Sequence, residues 1–261
     1  MTGAEWFTLT QGEGPIVAAA VHAGHAMRPD LLPLCALGEA ERRREEDPFS
    51  ELWTVIGDSR LVAHRSRFEV DLNRPREGAV YRSPEEAWGL EVWRRPPGDD
   101  AVAASRAVWD AFHGAAERLF TDLASRHGSF VVLDLHTYNH RRGGPAAPPA
   151  DPEANPEINL GTGTLQNPRL RPLADAFLEA LRGQRVGGRT LDVRENVRFQ
   201  GGHFPRWVHS RFAASGCALA IEVKKTFMDE WTGALDAELH RRIGEALRAA
   251  LPALRAVRDR L

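Results

Sequence analysis

Cysteine is scarce in this sequence, which has only Cys35 and Cys217 among its 261 residues. Neither belongs to a C-x-x-C pair and both have apolar neighbours, which argues against a disulfide framework and is typical of a reducing compartment. The N-terminus has no basic segment followed by an apolar core, so no signal peptide is predicted. No apolar run approaches the length needed to cross a bilayer. The predicted location is therefore the cytoplasm, with no membrane partner.

A strong excess of one charge is also missing, since the formal net charge is -2 at pH 7. This argues against nucleic acid or an anionic membrane surface as the main partner. The G-x-S-x-G turn that carries a nucleophilic serine is absent, and neither cysteine stands at a polar strand end. Serine and cysteine hydrolase chemistry therefore fit poorly.

Three apolar runs end in, or are interrupted by, side chains that can bind a metal or move a proton. They are residues 130–133, followed by Asp134 and His136; residues 16–21, followed by His22 and His25; and residues 217–223, which contain Glu222. Apolar runs of this kind predict strands buried on both faces of a sheet. Because α/β sheets place their ligands at the carboxyl ends of such strands, the three ends predict a functional site.

The stretch from Ser129 to Thr137 (SFVVLDLHT) shows this pattern most clearly. Asp134 and His136 are two residues apart and therefore share one face of the strand. An acid beside a histidine can orient the imidazole and raise its basicity, as a metal-bound histidine requires. A solvent-exposed histidine at an ordinary strand end is the alternative interpretation.

Two or three histidines with a carboxylate are the ligand set of a catalytic zinc ion, which keeps one position for water. The pKa of that water falls toward neutrality, and a nearby carboxylate can take its proton. A carboxylate inside an apolar strand is costly without a partner or a task, so Glu222 is the candidate for this role. An ion pair between Glu222 and Lys224 or Lys225 is the alternative.

The remaining patterns predict helices, one further strand and a long loop. Predicted helices are residues 100–127, 168–182 and 235–261, the last broken near Pro252. Alternation of Phe68, Val70 and Leu72 predicts a strand with one polar face. The arginines around Asn73 suggest recognition of a carboxylate, because a guanidinium group can bind it with two hydrogen bonds. Residues 143–156, rich in proline, predict a loop that is a candidate lid.

Four segments together resemble the N-formylglutamate amidohydrolase family. They are residues 22–25 (HAGH) with Pro29, residues 65–74 (RSRFEVDLNR), residues 134–137 (DLHT) and residues 221–230 (IEVKKTFMDE). The loop from Asn196 to Arg206 also resembles this family, and the segments follow in its order over residues 16–233. The resemblance implies one catalytic domain over residues 1–261. It also implies a three-layer α/β/α sandwich around a mixed central sheet, similar to zinc carboxypeptidases and of phosphorylase/hydrolase-like type.

In function, the resemblance implies a zinc-dependent hydrolase that cleaves the amide bond of a small N-acyl amino acid such as N-formylglutamate. The implied partner is a small molecule carrying a carboxylate. His22 and His136 match metal ligands, and Glu222 matches the general base. The third ligand is open between His25 and an acid of residues 45–47, with Glu46 preferred over its neighbours.

The resemblance also implies which side chains bind the substrate. Asn73 and Arg74 match the clamp for the substrate carboxylate, and Arg206 is a second candidate for that clamp. His203 is a candidate for binding the substrate or the oxyanion. Asp134 is then better interpreted as a group that shapes the site than as a ligand.

Two segments depart from the enzymes of histidine degradation in this family. Residues 44–50 (REEDPFS) lack the Asp-Trp type of segment, and residues 139–142 (NHRR) are unusually basic. The substrate therefore stays open at this point. The alternatives are a metallocarboxypeptidase-like peptidase and a non-catalytic, carboxylate-binding domain on the same scaffold.

Overall fold

The computed structural model describes residues 6–261. Residues 1–5 lie outside the described residues. The predicted domain over residues 1–261 and the prediction of no signal peptide both include these five residues. The strands are β1 (Phe7–Thr10), β2 (Ile16–Ala20), β3 (Ser59–Ala63), β4 (Phe130–Tyr138), β5 (Ile158–Gly161), β6 (Arg185–Val186), β7 (Arg189–Thr190), β8 (Val193–Glu195) and β9 (Gly216–Lys224). The α-helices are α1 (Glu39–Glu45), α2 (Ser50–Trp53), α3 (Asp99–His127), α4 (Arg171–Arg182), α5 (His203–Arg211) and α6 (Ala237–Arg258).

Seven of these strands form one mixed sheet in the order β1-β3-β2-β4-β9-β5-β8, while β6 and β7 pair separately. The inner strands β3, β2, β4 and β9 are parallel neighbours. At one edge, β1 runs antiparallel to β3. On the other side, β5 runs antiparallel to β9 and pairs in parallel with the edge strand β8. The carboxyl ends of β2, β4 and β9 therefore meet at one edge of the sheet, where ligands bind in such folds.

Alternate residues of the inner strands face opposite layers of helices, because successive strand side chains point to opposite faces. Val17 and Val132 belong to a buried cluster with α3 and α5. Ile16 and Leu133 belong to a second cluster with α4 and α6. These two clusters build the predicted three-layer α/β/α sandwich with its mixed sheet, which is confirmed. No helix among residues 6–261 is long and apolar enough to span a membrane.

The predicted strand around Phe68, Val70 and Leu72 is wrong. The segment folds as turns, in which the amide of Glu69 donates to the carbonyl of Ser66 at 2.9 Å instead of joining a strand ladder. The apolar side chains are buried as the alternation predicted, but the intervening acidic groups are buried too. Alternation here therefore reflects a segment enclosed on all sides rather than a half-exposed strand.

The predicted break near Pro252 is also wrong, since α6 runs through Pro252 to Arg258. Proline removes one backbone donor and would leave the carbonyl four residues earlier, at Arg248, without its partner. Pro252 and Arg248 both lie on the exposed face of the helix, where water can satisfy that carbonyl. Leu251 and Leu254 are buried on the opposite face and hold both halves of α6 on the core.

Candidate metal centre and active site

His22, Asp47 and His136 form a buried cluster at the carboxyl edge of the sheet. One ligand atom from each lies within 4.8 Å of the other two. Nδ1 of His136 is 3.0 Å from Oδ2 of Asp47, and Nδ1 of His22 is 3.6 Å from the same oxygen. We call these three residues the floor of the site.

Each floor residue is placed by a different segment of the chain. His22 lies two residues after the end of β2, and His136 lies within β4, next to β2 in the sheet. Asp47 follows the end of α1, and Pro48 restricts its backbone to extended conformations. Its amide donates to the carbonyl of His22 at 3.0 Å, and its Oδ1 accepts a hydrogen bond from Thr137 Oγ1 at 2.8 Å.

The other ring nitrogen of each floor histidine faces a further buried carboxylate. Nε2 of His22 donates to Oδ1 of Asp71 at 2.8 Å, and Nε2 of His136 lies 3.0 Å from Oδ2 of Asp134. A carboxylate at Nε2 fixes the ring orientation and the tautomer, leaving Nδ1 as the nitrogen that faces Asp47. Asp134 thus has the orienting position expected from the sequence.

The charges of the floor are strongly coupled. Burial would raise the pKa of Asp47, but hydrogen bonds and charge from His136 and His22 outweigh it and hold that pKa well below its ordinary value. Burial would lower the pKa of His136, yet the charge of Asp134 and hydrogen bonds with Asp134 and Asp47 hold it well above. An ionised carboxylate with two Nδ1 atoms turned toward it is a donor set that could hold a divalent cation.

Glu222 lies beside His136 because β4 and β9 are parallel and these two residues are register partners. Parallel register partners have side chains on the same face, so the carboxyl group points to the same edge as His136. The side chain is half-buried and lines the cavity above the floor. Burial, with added repulsion from Asp47 and Asp134, raises the pKa of Glu222 to about 7, although His136 opposes the shift. Such a carboxyl group can exchange a proton near neutral pH.

The structure does not bring Glu46 or His25 into the floor. Instead, they contact each other, with His25 Nδ1 2.5 Å from Glu46 Oε2, and Glu46 Oε1 accepts from Ser66 Oγ at 2.5 Å. The sequence preference for Glu46 as third ligand therefore does not fit this geometry, and neither does His25. Both side chains anchor the segment that carries Asp47, whose own carboxylate turns toward the histidines.

A cavity of about 550 Å³ opens above the floor. Its walls come from the segments after β4, from the loop before α5 and from the end of β9. Besides the floor and Glu222, the lining side chains include Glu45, Arg67, Asn73, Trp88, Tyr138, Asn139, Arg142, Arg198, Gln200 and Lys225. The volume lies in the range of small-molecule sites.

Asn73 is the predicted substrate-binding residue that the structure places in this cavity. Its Oδ1 accepts the amide of Phe204 at 2.7 Å, which ties it to the first turn of α5. Gly202 explains the close approach, because a Cβ at that position would lie 2.4 Å from Nδ2 of Asn73. Gly201 has a φ angle of +104°, a backbone conformation that glycine adopts more readily than residues with a side chain. The absence of a side chain at Gly202 therefore leaves room for the side chain of Asn73.

Arg74, Arg206 and His203 do not line this cavity. Arg74 donates to the carbonyl of Glu86 at 2.5 Å. Arg206 is exposed beside a smaller cavity behind Gln200 and Gly201, and His203 packs near Trp109. These three predicted substrate-binding residues therefore lie outside the lining of the cavity above the floor.

A family model described as N-formylglutamate amidohydrolase matches residues 14–228. The chain belongs to the N-formylglutamate amidohydrolase family. This membership confirms the resemblance drawn from the sequence and makes the chain a member of a family of amide hydrolases.

Known proteins similar to this amidohydrolase family member cover most of its length. N-formylglutamate deformylase of Pseudomonas aeruginosa is 25% identical over 247 residues, which is 87% of this chain and 86% of that protein. The crystal structure of N-formylglutamate amidohydrolase from Ralstonia eutropha JMP134 aligns with a TM-score of 0.75 at 18% identity, over 98% of this chain and 100% of that chain. A crystal structure of a protein from Agrobacterium tumefaciens aligns with a TM-score of 0.67 at 18% identity, over 98% of each chain. At these identities the solved structures show the fold alone.

Three arginines of this amidohydrolase family member line the cavity. Arg67 belongs to the arginines around Asn73 that were predicted to recognise a carboxylate, whereas Arg142 and Arg198 were not predicted to bind the substrate. Arg67 is fixed, since it donates to Asp71 Oδ2 at 2.8 Å and its Cζ lies 4.8 Å from the ring centroid of Trp88. Arg142 and Arg198 are exposed, and neither forms an ion pair with any residue in the range 6–261. The unusually basic residues 139–142 were the available signal for Arg142. We call Arg142 and Arg198 the mouth pair.

Proposed function

We propose that this chain hydrolyses the amide bond of a small N-acyl amino acid in a metal-dependent reaction, with N-formylglutamate as the first substrate to test. The observation that carries the proposal is the buried floor of His22, Asp47 and His136 beside Glu222, at the base of a cavity lined by cationic side chains. The names of the relatives add the N-formyl group and the glutamate.

In this proposal Nδ1 of His22, Nδ1 of His136 and the Asp47 carboxylate would hold one zinc ion. Asp71 and Asp134 keep the Nε2 atoms turned away, so the Nδ1 atoms are free to bind. When bound, such an ion would supply polarisation of the amide carbonyl and would lower the pKa of a water molecule to about 7.

Glu222 is the proposed general base and then the general acid. It takes a proton from the attacking water and delivers that proton to the nitrogen of the leaving amine when the C–N bond breaks. A pKa of about 7 suits both transfers, because the group neither holds the proton too tightly nor loses it too readily. The products are a carboxylic acid, formate when the acyl group is formyl, and a free amino acid.

Carboxylate recognition is assigned to the guanidinium groups that line the cavity. Arg67 is held by Asp71 and Trp88, so it offers a fixed cation next to Asn73. The mouth pair offers two further cations that lack ion-pair partners among the described residues. Guanidinium groups bind carboxylates with paired hydrogen bonds, so a dicarboxylate such as N-formylglutamate suits this arrangement.

The test is a substrate panel combined with metal removal. N-formyl, N-acetyl and N-succinyl amino acids are assayed beside short peptides, with the chain as purified, after chelation and after addition of Zn²⁺. We expect release of free amino acid from one or more N-acyl amino acids, loss of this activity on chelation and its return with Zn²⁺. Turnover of peptides alone would replace the proposal with a peptidase, and full activity after complete metal removal would reject the metal-dependent mechanism.

A further inference from the structure

We propose that Lys225 is a positioning residue of the metal centre, acting through Asp47. The inference rests on the proposed function in one respect, namely that Asp47 is a metal ligand. Lys225 follows β9 directly, three residues after Glu222, and its side chain is 1% exposed. It also lines the cavity beside Asp47 and Glu222.

The ammonium group of Lys225 binds the end of α1. Nζ donates to the carbonyl of Arg44 at 2.6 Å and to the carbonyl of Glu46 at 2.7 Å. The last carbonyls of a helix have no partner within the helix, and a cation there is favourable because they carry the negative end of the helix dipole. Lys225 therefore closes α1 at the point where the chain turns toward Asp47.

One peptide group is held from both sides as a result. The Glu46 carbonyl accepts from Lys225, while the Asp47 amide of the same peptide donates to the carbonyl of His22 at 3.0 Å. Because a peptide group is planar, two opposed hydrogen bonds fix its orientation. That orientation sets the direction in which the Asp47 side chain leaves the backbone, toward the floor histidines.

A lysine at this buried position has a cost that an apolar side chain would avoid. Burial lowers the pKa of Lys225 from its ordinary value, against the charges of Asp47, Glu45 and Glu230. A buried ammonium group is tolerated when hydrogen bonds satisfy it. Methionine would fill a similar volume without the charge, so the distinctive contribution of the lysine is its pair of bonds to the backbone that carries Asp47.

The experiment compares Lys225→Met with the wild-type full chain, each stripped by a chelator and titrated with Co²⁺ and with Zn²⁺. We expect metal affinity to fall about 10- to 100-fold, as is typical when a group that orients a ligand is removed. The visible absorption spectrum of bound Co²⁺ should also change, because the Asp47 oxygen shifts relative to the imidazoles. Lys224→Met is the matched control: Lys224 is buried next along the chain but lies outside the cavity lining, and we expect unchanged affinity and spectrum.

A double-mutant cycle tests whether the effect passes through Asp47. In an Asp47→Ala background, Lys225→Met should change the remaining Co²⁺ affinity by less than about twofold, because the group that it positions is gone. An equal loss in both backgrounds would show a general effect on the fold and would overturn the inference. Wild-type affinity and spectrum in Lys225→Met would overturn it as well.

Lys225→Gln is the second variant should the methionine variant not fold. It keeps two N–H donors without the charge, so we expect a Co²⁺ affinity between wild type and the loss predicted for methionine. If folded Lys225→Gln had the metal affinity and the spectrum of wild type, the charge of Lys225 on its two hydrogen bonds to the backbone would have no role in positioning Asp47. A wild-type chain that binds no Co²⁺ or Zn²⁺ would reject the metal-dependent function together with this inference, whereas normal wild-type binding with unchanged variants rejects the inference alone.

Discussion

The floor and the mouth pair line the same cavity but are built in opposite ways. Every floor side chain is buried, and each histidine nitrogen lies near a carboxylate oxygen. Arg142 and Arg198 are exposed, and no acidic residue within the described range forms an ion pair with either guanidinium group. The floor is therefore organised before any substrate arrives, whereas the mouth pair has binding capacity that an incoming anion can use.

This difference indicates that the floor determines the rate of the reaction and that the mouth pair determines which substrates bind. Electrostatic interactions are strong in a buried site and need no rearrangement when a fixed group supplies them. Exposed charges are screened by water and salt, so each contributes modestly. Substitutions near the floor should therefore change the rate steeply, while those at the mouth should change the binding of particular substrates.

Replacing the proton-transfer group should give the largest effect. In Glu222→Gln, kcat/KM for the best N-acyl amino acid should fall about 100- to 10,000-fold, the usual contribution of a general base. The amide is nearly isosteric but cannot accept the proton, so bound metal per chain and the melting temperature should stay close to wild type. A rate similar to wild type in Glu222→Gln would remove this residue from the mechanism.

Weakening the support of the floor should give the next largest effect. Asp71→Asn removes the charge that faces Nε2 of His22 and that also holds Arg67. Metal affinity, measured by chelator competition, should fall about 10- to 100-fold. Asp110→Asn is the control, since Asp110 forms an exposed ion pair with Arg76 at 2.6 Å. If both variants bound metal alike, the carboxylate behind His22 would have no role in holding the site.

Removing the charges of the mouth pair should give the smallest of these effects. In the double variant Arg142→Gln/Arg198→Gln, KM for N-formylglutamate should rise about 10-fold, with little change in kcat. The reason is that a hydrogen bond to a charged group contributes about 1.5 kcal/mol to binding. N-formylglutamine, which lacks the side-chain charge, should be less affected. Arg141→Gln is the control, because Arg141 lies next along the chain and outside the cavity lining. An unchanged preference between the two substrates would show that the mouth pair does not recognise the carboxylate.

The buried strands and the two histidines at their ends could be predicted from the sequence for a simple physical reason. Runs such as residues 130–133 and residues 16–21 are apolar on every position, which is typical of strands covered on both faces. Once those strands are parallel neighbours, His22 and His136 must reach the same edge of the sheet. Local pattern and one rule of topology are enough for this part of the site.

The third floor residue could not be chosen in the same way. Glu45, Glu46 and Asp47 are adjacent acids, and which one turns inward depends on contacts with residues far away in sequence. Glu46 is held outward by His25 and Ser66, and the next peptide is held by Lys225. Local pattern contains none of these contacts.

The arginines of residues 65–74 show the same limit. Arg74 and Arg67 are equally suited to a carboxylate by residue type. Arg67 lines the cavity because Asp71 and Trp88 hold it there, whereas Arg74 is bound to the carbonyl of Glu86. The turns that place them differently replace the strand that the alternation predicted.

The stacking of Arg67 on Trp88 gives the cavity an optical reporter. The indole of Trp88 is 44% exposed, lies in the cavity wall and has a guanidinium group over its face. An anion that binds Arg67 changes both the charge above this ring and the amount of water around it. We therefore expect filling of the cavity to change the fluorescence of Trp88. Because the chain has seven tryptophans, the difference between a chain with blocked turnover and the same chain carrying Trp88→Phe isolates this signal.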